Sequence, residues 1–338
     1  MNRFIKNMAI KDWVLLKDVS IETHAGINVF VGENGTGKSQ LLGLINAYCR
    51  GIDNQRNWTP LDDGEEKDIS RIPMRNYITQ YLKYSNQPLK TGIKVNDTVF
   101  SYTYTPEGGW KAPRVIIKEA SQDYRNVVFI TAKEVLSLAN LLKVSTEFRG
   151  VDVDASFVEI INSAQRLAFK EVPELVLEAI SELEEILDGT VFLKKDNTFW
   201  IEKHDGRKIP FNLEAEGFRK IGLLWQLLMN KSIDSQTVLL WDEPEANLNP
   251  KLTEAITKML FKLAERGVQI FIATHDYFLP QYLNTMKTDD SQVLFHSLYH
   301  TQEGIKCETK QDFSLLEHNS IIDEVIKLYN LEVRKVEV

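Results

Sequence analysis

Short apolar runs alternate with polar residues over the first thirty positions, and the spacing changes abruptly after them. Residues 3–31 read as a meander of short strands, with Val14-Leu15-Leu16 and Val19-Ser20-Ile21 leading into the buried run Gly26-Ile27-Asn28-Val29-Phe30-Val31. Leu41, Leu44, Ile45 and Tyr48 then repeat at helical spacing. Residues 51–70 are rich in Asp, Asn and Gly, which predicts a surface loop. Tyr77, Tyr81 and Tyr84 predict one helix over 71–86. Ile93 to Thr105 and Arg114 to Glu119 alternate like an antiparallel pair around the turn Pro106-Glu107-Gly108-Gly109.

The middle of the chain is more helical. Val127 to Ile130 reads as a buried strand, followed by helical text from Ala132 to Lys143 and two further helices over 156–169 and 172–187. The last carries Val172, Leu175, Val176, Ala179, Ile180, Leu183 and Ile186 on one face. Its acidic residues lie opposite, as a solvated outer face or as a docking face for a partner. Strands resume from Val191 to Ile209, and Phe218, Ile221, Leu224, Trp225 and Leu228 mark a helix that starts near Gly217. Thr237 to Trp241 is an apolar strand. Leu252, Ala255, Ile256, Met259, Leu260 and Leu263 predict a helix over Leu252 to Ala264, which Gly267 ends before a strand from Val268 to Ala273. There is no internal repeat.

The change from strand to helix near residue 32 coincides with the most informative chemistry. Gly32-Glu33-Asn34-Gly35-Thr36-Gly37-Lys38-Ser39 satisfies G-x-x-x-x-G-K-[ST] without a mismatch, between the predicted strand and the predicted helix. Glycines let successive N–H groups turn inward around an anion, and the helix start adds its own unpaired N–H groups and positive dipole end. A nucleoside triphosphate is therefore the expected ligand. Lys38 would meet its β- and γ-phosphates, the Ser39 hydroxyl would ligate Mg²⁺, and Gln40 belongs to the same cradle. Far downstream, the strand ending at Trp241 runs into Asp242-Glu243. Asp242 would hold the Mg²⁺ shell and Glu243 would polarise the attacking water.

Composition limits the alternatives. With 43% apolar and 26% charged residues, the chain belongs with ordinary globular proteins rather than fibrous or disordered ones. Cys49 and Cys307 are far apart and lack metal-ligand spacing, so they read as thiols of a reducing compartment. No apolar run reaches membrane-spanning length, and residues 1–6 are not followed by a signal-peptide core, which together predict a cytoplasmic protein. The net charge of −8 is uneven. Nine basic against four acidic residues lie between Arg71 and Arg125, whereas Glu171 to Asp188 holds seven acids and no base. The basic stretch, with Tyr77, Tyr81, Tyr84, Tyr102, Tyr104 and Trp110, suits either a nucleic-acid contact or an insertion whose rings pack on the core.

The segment Leu239 to Pro250, with Asp242-Glu243-Pro244-Glu245-Ala246-Asn247-Leu248-Asn249, resembles the Walker B and D-loop stretch of ABC-type ATPases. The closer likeness is to the branch that includes structural-maintenance-of-chromosomes proteins and standalone ATPases of bacterial defence loci. That resemblance implies an α/β fold, a P-loop NTPase of ABC-type architecture with a mixed central sheet, N-terminal antiparallel strands and a helical lobe. It implies three regions. Residues 1–135 form an N-terminal ATPase lobe with a basic insertion at about 51–125, 136–190 a helical lobe, and 191–338 a C-terminal ATPase lobe.

It also implies roles. Ala246, Asn247 and Leu248 would lie at a subunit contact. His275, 32 residues after Glu243 at the next strand end, resembles the family's switch histidine. Glu216 and Gly217, at a helix start before the Asp-Glu strand, stand where the signature motif contacts the nucleotide of a partner subunit. Ala215 replaces the usual serine there. The segment after Ile130 should carry a glutamine loop, and it holds Thr131, Ala132, Lys133 and Glu134 but no Gln.

Two classes of function follow: an ATP-gated dimeric sensor or clamp acting on nucleic acid or through a separately encoded effector, or a transporter motor with a membrane partner. The absent Leu-Ser-Gly-Gly-Gln signature favours the first, a prokaryotic multi-protein system of the antiviral-defence kind, with DNA repair or maintenance as its neighbour. Asp152-Val153-Asp154 reads as a loop rather than a nuclease metal site.

Overall fold

The computed structural model describes residues 4–13, 15–56, 89–96, 98–104, 114–117, 126–142, 155–169, 176–289 and 292–336. The chain divides into two units, Met1–Tyr124 with Phe271–Val338, and Arg125–Ile270.

The first unit is built on a mixed sheet. β1 (Asn7–Trp13) and β2 (Leu16–Glu22) form an antiparallel hairpin, with Met8 opposite Ile21 and Ile10 opposite Val19. These four bury one face, as period-2 alternation requires. Asp12 takes a left-handed φ of 52°, after which Trp13 rather than Asp12 is buried. Leu15, expected in a strand, sits in the turn. β3 (Ile27–Val31) is buried at every position, as a strand covered on both faces should be. It pairs parallel with β13 (Val293–Thr301), which pairs antiparallel with β14 (Gly304–Lys310).

The other side of β1 carries β4 (Leu89–Val95), β5 (Thr98–Tyr104) and β6 (Arg114–Ile117), all antiparallel. The single strand expected over Ile93 to Thr105 is in fact two, because Asn96 turns the chain with a φ of 50°. The strand order is β6-β5-β4-β1-β2-β14-β13-β3, then β12 (Gln269–Ala273), which enters this unit at Phe271. Phe30, Phe271 and His296 pack around β3, and His296 is wholly buried. Its Nδ1 lies 2.9 Å from Thr309 Oγ1, and burial pushes its pKa down to about 3, so it is neutral. α1 (Lys38–Arg56) buries the predicted Leu41, Leu44, Ile45 and Tyr48, and runs into the region expected as loop.

In the second unit β7 (Asn126–Ile130) and β11 (Thr237–Asp242) pair in parallel, Val128 beside Leu239. A separate antiparallel sheet holds β8 (Gly189–Leu193), β9 (Phe199–Lys203) and β10 (Lys208–Pro210). Helices among the described residues of this unit include α2 (Ala155–Ala164), α3 (Leu177–Leu187), α4 (Glu216–Met229) and α5 (Thr253–Glu265).

Three sequence expectations change here. α2 stops at Ala164, not 169, because the amides of Gln226 and Asn230 take the carbonyls of Ser163, Ala164 and Arg166. The helix expected from Ala132 begins only with a 3-10 turn at Leu136–Leu138, whose N–H groups are held by Glu134 Oε1. The acids of α3 are not all solvated, since Glu182 pairs with Lys262 at 2.6 Å and Glu184 accepts from Trp225 Nε1 at 3.0 Å. The α/β class with N-terminal antiparallel strands holds as read. The helix over 71–86, Asp152 to Asp154 and Trp110 lie outside the described residues.

Candidate nucleotide site

The phosphate loop leaves the buried end of β3 and is shaped by glycine. Gly32, Gly35 and Gly37 have φ values of 141°, 83° and 90°, a region that side-chain-bearing residues avoid. At Gly32 there is also no room, since a Cβ would lie 2.2 Å from the Leu298 carbonyl oxygen of β13. Glu33, Asn34, Gly35 and Ser39 are exposed, whereas Thr36, Gly37 and Lys38 are buried. Thr36 Oγ1 donates to Glu33 O at 2.9 Å.

Lys38 opens α1 and folds back over the loop, its Nζ donating to Gly32 O at 2.7 Å and Glu33 O at 2.8 Å. A cation is thereby fixed over a curve of exposed backbone, the arrangement an anion requires. Gln40 is half-buried, and its Oε1 is a buried acceptor with no hydrogen-bond partner.

His275 belongs to the same unit. Thr274 N donates to Phe30 O at 3.0 Å, tying the end of β12 to the strand that delivers the loop. Thr274 Oγ1 accepts from Asp276 N, and Asp276 Oδ2 accepts from Leu279 N in α6 (Phe278–Met286). His275 itself is exposed on this stiffly held corner.

The acidic turn is in the second unit. β11 is buried through Asp242, which is only 8% exposed. Glu243 then takes a left-handed φ of 48° and Asn247 one of 65°, so residues 243–249 curl into successive turns. Ala246 N donates to Glu243 O and Leu248 N to Glu245 O. Asn249 caps the following helical segment through Lys251 N, with Pro250 at its first position.

Sequence reasoning missed the residue that braces this turn. Lys220 of α4 is 1% exposed, and its Nζ donates to Glu243 O at 3.1 Å. Burial pushes its pKa down, against the opposing pull of Glu216, Glu245, Glu243 and Asp242. The available signal was a lysine at i+3 from Gly217, on the helix face that Ile221 and Leu224 make apolar.

Gly217 is buried by its own chain, and a Cβ there would meet Asn247 O and Leu248 Cδ2 at 2.6 Å. Glu216 beside it is half-exposed, and Ala215 caps α4 with extended backbone and no side-chain hydrogen bond. Glu134, in the segment expected to hold a glutamine, has a buried side chain that lies 3.4 Å from Arg219 Nε of α4. Among the described residues no group of three or more His, Cys, Asp or Glu is arranged for a metal, and no helix is long and apolar enough to cross a membrane.

Residues 27–279 match the family described as "AAA domain, putative AbiEii toxin, Type IV TA system". A stretch of 79 residues is 35% identical to the energy-coupling factor transporter ATP-binding protein EcfA of Methanococcus maripaludis, covering 23% of this chain and 27% of that protein. Thus the match spans about a quarter of that relative.

The SMC head domain with an extended coiled coil from Pyrococcus furiosus, bound to the C-terminal domain of ScpA, superposes with a TM-score of 0.50 at 15% identity, covering 98% of this chain and 99% of that one. An SMC head bound to the C-winged helix domain of ScpA gives 0.50 at 15% identity, covering 91% and 97%. At such identity these two establish the fold. Well over half of the chain lies within the family match, so the chain belongs to this AAA-domain family, and its fold is similar to that of the SMC heads.

Proposed function

We propose that this chain binds ATP with Mg²⁺ and hydrolyses it, and that ATP gates the pairing of two copies. The observation that carries the reading is Lys38 Nζ folded over a loop whose bends are made by glycines. In this reading the N–H groups of residues 33–39 and the Lys38 ammonium hold the phosphates. Ser39 and Asp242 hold Mg²⁺, which neutralises phosphate charge when bound, and the orphan acceptor of Gln40 takes a donor from that shell. Glu243 accepts the proton of the attacking water. His275 hydrogen-bonds the terminal phosphate, and Glu216 with Gly217 meets the nucleotide held by the other copy.

The wider role is an ATP-gated sensor or clamp in a prokaryotic system of the antiviral-defence kind, acting through a separately encoded effector. It is supported by a family described as a putative toxin of a "Type IV TA system", and by SMC heads of this fold that are bound to a domain of ScpA. The short likeness to a transporter ATP-binding protein favours a second reading, a motor subunit; co-purification with a membrane permease would establish it in place of the first.

The test is a pair of variants. Glu243→Gln should lower hydrolysis by about 100-fold or more while retaining ATP and accumulating dimer, and Lys38→Ala should lose ATP binding. Hydrolysis by Glu243→Gln at the wild-type rate would remove Glu243 as the base. Absence of the gene should raise phage yield in a host carrying the complete system, and an unchanged yield would remove the defence role.

A further inference from the structure

The C-terminal helix α7 (Ser320–Val336) is rooted at buried Asn319, whose Oδ1 accepts from Ile322 N. Every residue from Asp323 to Lys335 is exposed. Ile322, Val325, Ile326, Tyr329 and Val333 recur at the spacing that places them on one helix face. Ile326 and Tyr329 are 52% and 65% exposed. Asp323, Lys327, Asn330 and Arg334 lie opposite or along the flank. The apolar face runs about 17 Å along the helix, an exposed apolar stripe of the kind that marks an interaction surface.

The charges say what covers it. The acids Asp323 and Glu324 stand in the first turns, and the bases Arg334 and Lys335 in the last. Two such helices side by side in parallel would set acid against acid and base against base. Turned antiparallel about a two-fold axis near Leu328 and Tyr329, they bring Asp323 of one copy opposite Arg334 of the other, twice. Glu324 already has Lys327 at 2.9 Å in its own helix, which leaves Asp323 and Arg334 as the discriminating pair. A membrane surface fits poorly, because a helix lying on one carries Lys and Arg across its polar face, whereas here Asp323, Glu324 and Glu332 balance Lys327, Arg334 and Lys335.

We propose that α7 pairs antiparallel with α7 of a second copy, independently of nucleotide. Sedimentation of the nucleotide-free full chain over a range of micromolar concentrations tests this. The wild type should form a dimer, Tyr329→Asp a monomer of unchanged helical content, and Asp323→Arg a dimer weakened about tenfold or more. The double variant Asp323→Arg/Arg334→Asp should recover wild-type affinity. A wild-type monomer throughout, a dimer indifferent to Tyr329→Asp, or failure of the double variant to recover would each overturn the antiparallel pair.

Discussion

The phosphate loop of the first unit and the acidic turn of the second both bend the backbone sharply at the end of a buried strand, and they hold the bend by different means. The loop is bent by what is missing. Glycine at 32, 35 and 37 permits the left-handed backbone, and the Leu298 carbonyl occupies the space a side chain would need. The turn after β11 is bent by what is added. Glu243 and Asn247 take left-handed backbone while carrying side chains, and a buried lysine from a helix 23 positions earlier in the chain holds the Glu243 carbonyl. One bend is local in sequence, and the other depends on a contact between elements.

Four measurements separate the two kinds of bend. Gly32→Ala combines a forbidden backbone with a 2.2 Å clash, and should cost about 4 kcal/mol in urea unfolding; a loss below about 1 kcal/mol would mean the loop is not sterically fixed. The floor beneath the loop has its own signature in acid. His296 is neutral in the fold with its pKa near 3, below its ordinary 6.5, so the unfolded chain takes up the proton first. Stability from this site is complete above 6.5 and is lost as pH falls toward 3, about 3 kcal/mol of it by about pH 4. Unfolding of His296→Phe should be weaker at neutral pH but show a correspondingly shallower pH slope.

On the other side of the comparison, Gly217→Ala must displace the Asn247 carbonyl and should cost about 2 kcal/mol, half the effect at Gly32, because a surface turn yields more easily than a strand. Lys220→Met should be the mildest, lowering kcat about tenfold with KM for ATP unchanged, whereas Lys38→Ala acts on binding. If KM rose as much as kcat fell, Lys220 would support nucleotide binding instead of the acidic turn.

The same contrast explains what could be read in advance. The loop, the strand before it and the helix after it were legible because glycine spacing and apolar periodicity are local. So were the strand into Asp242 and the helix after Pro250. The hairpin at Asn96 was hidden because a left-handed asparagine leaves the alternation intact on both sides. The early end of α2 was hidden because its caps, Gln226 and Asn230, come from more than sixty residues away. Lys220 escaped because periodicity weighs apolar positions and discards a lysine among them, although the lysine is the informative residue.

The left-handed backbone at Glu243 bears on which residues can ever replace it. Asparagine and aspartate adopt that conformation readily, while valine, isoleucine and threonine resist it. With Glu243 in its proposed role as the base, natural drift at this site is filtered twice, once by the chemistry of a carboxylate and once by the geometry of the chain that carries it. Relatives that have given up hydrolysis should then keep Asn, Asp or Gly at this position and avoid the branched residues, a bias visible in sequence long after the activity itself is gone.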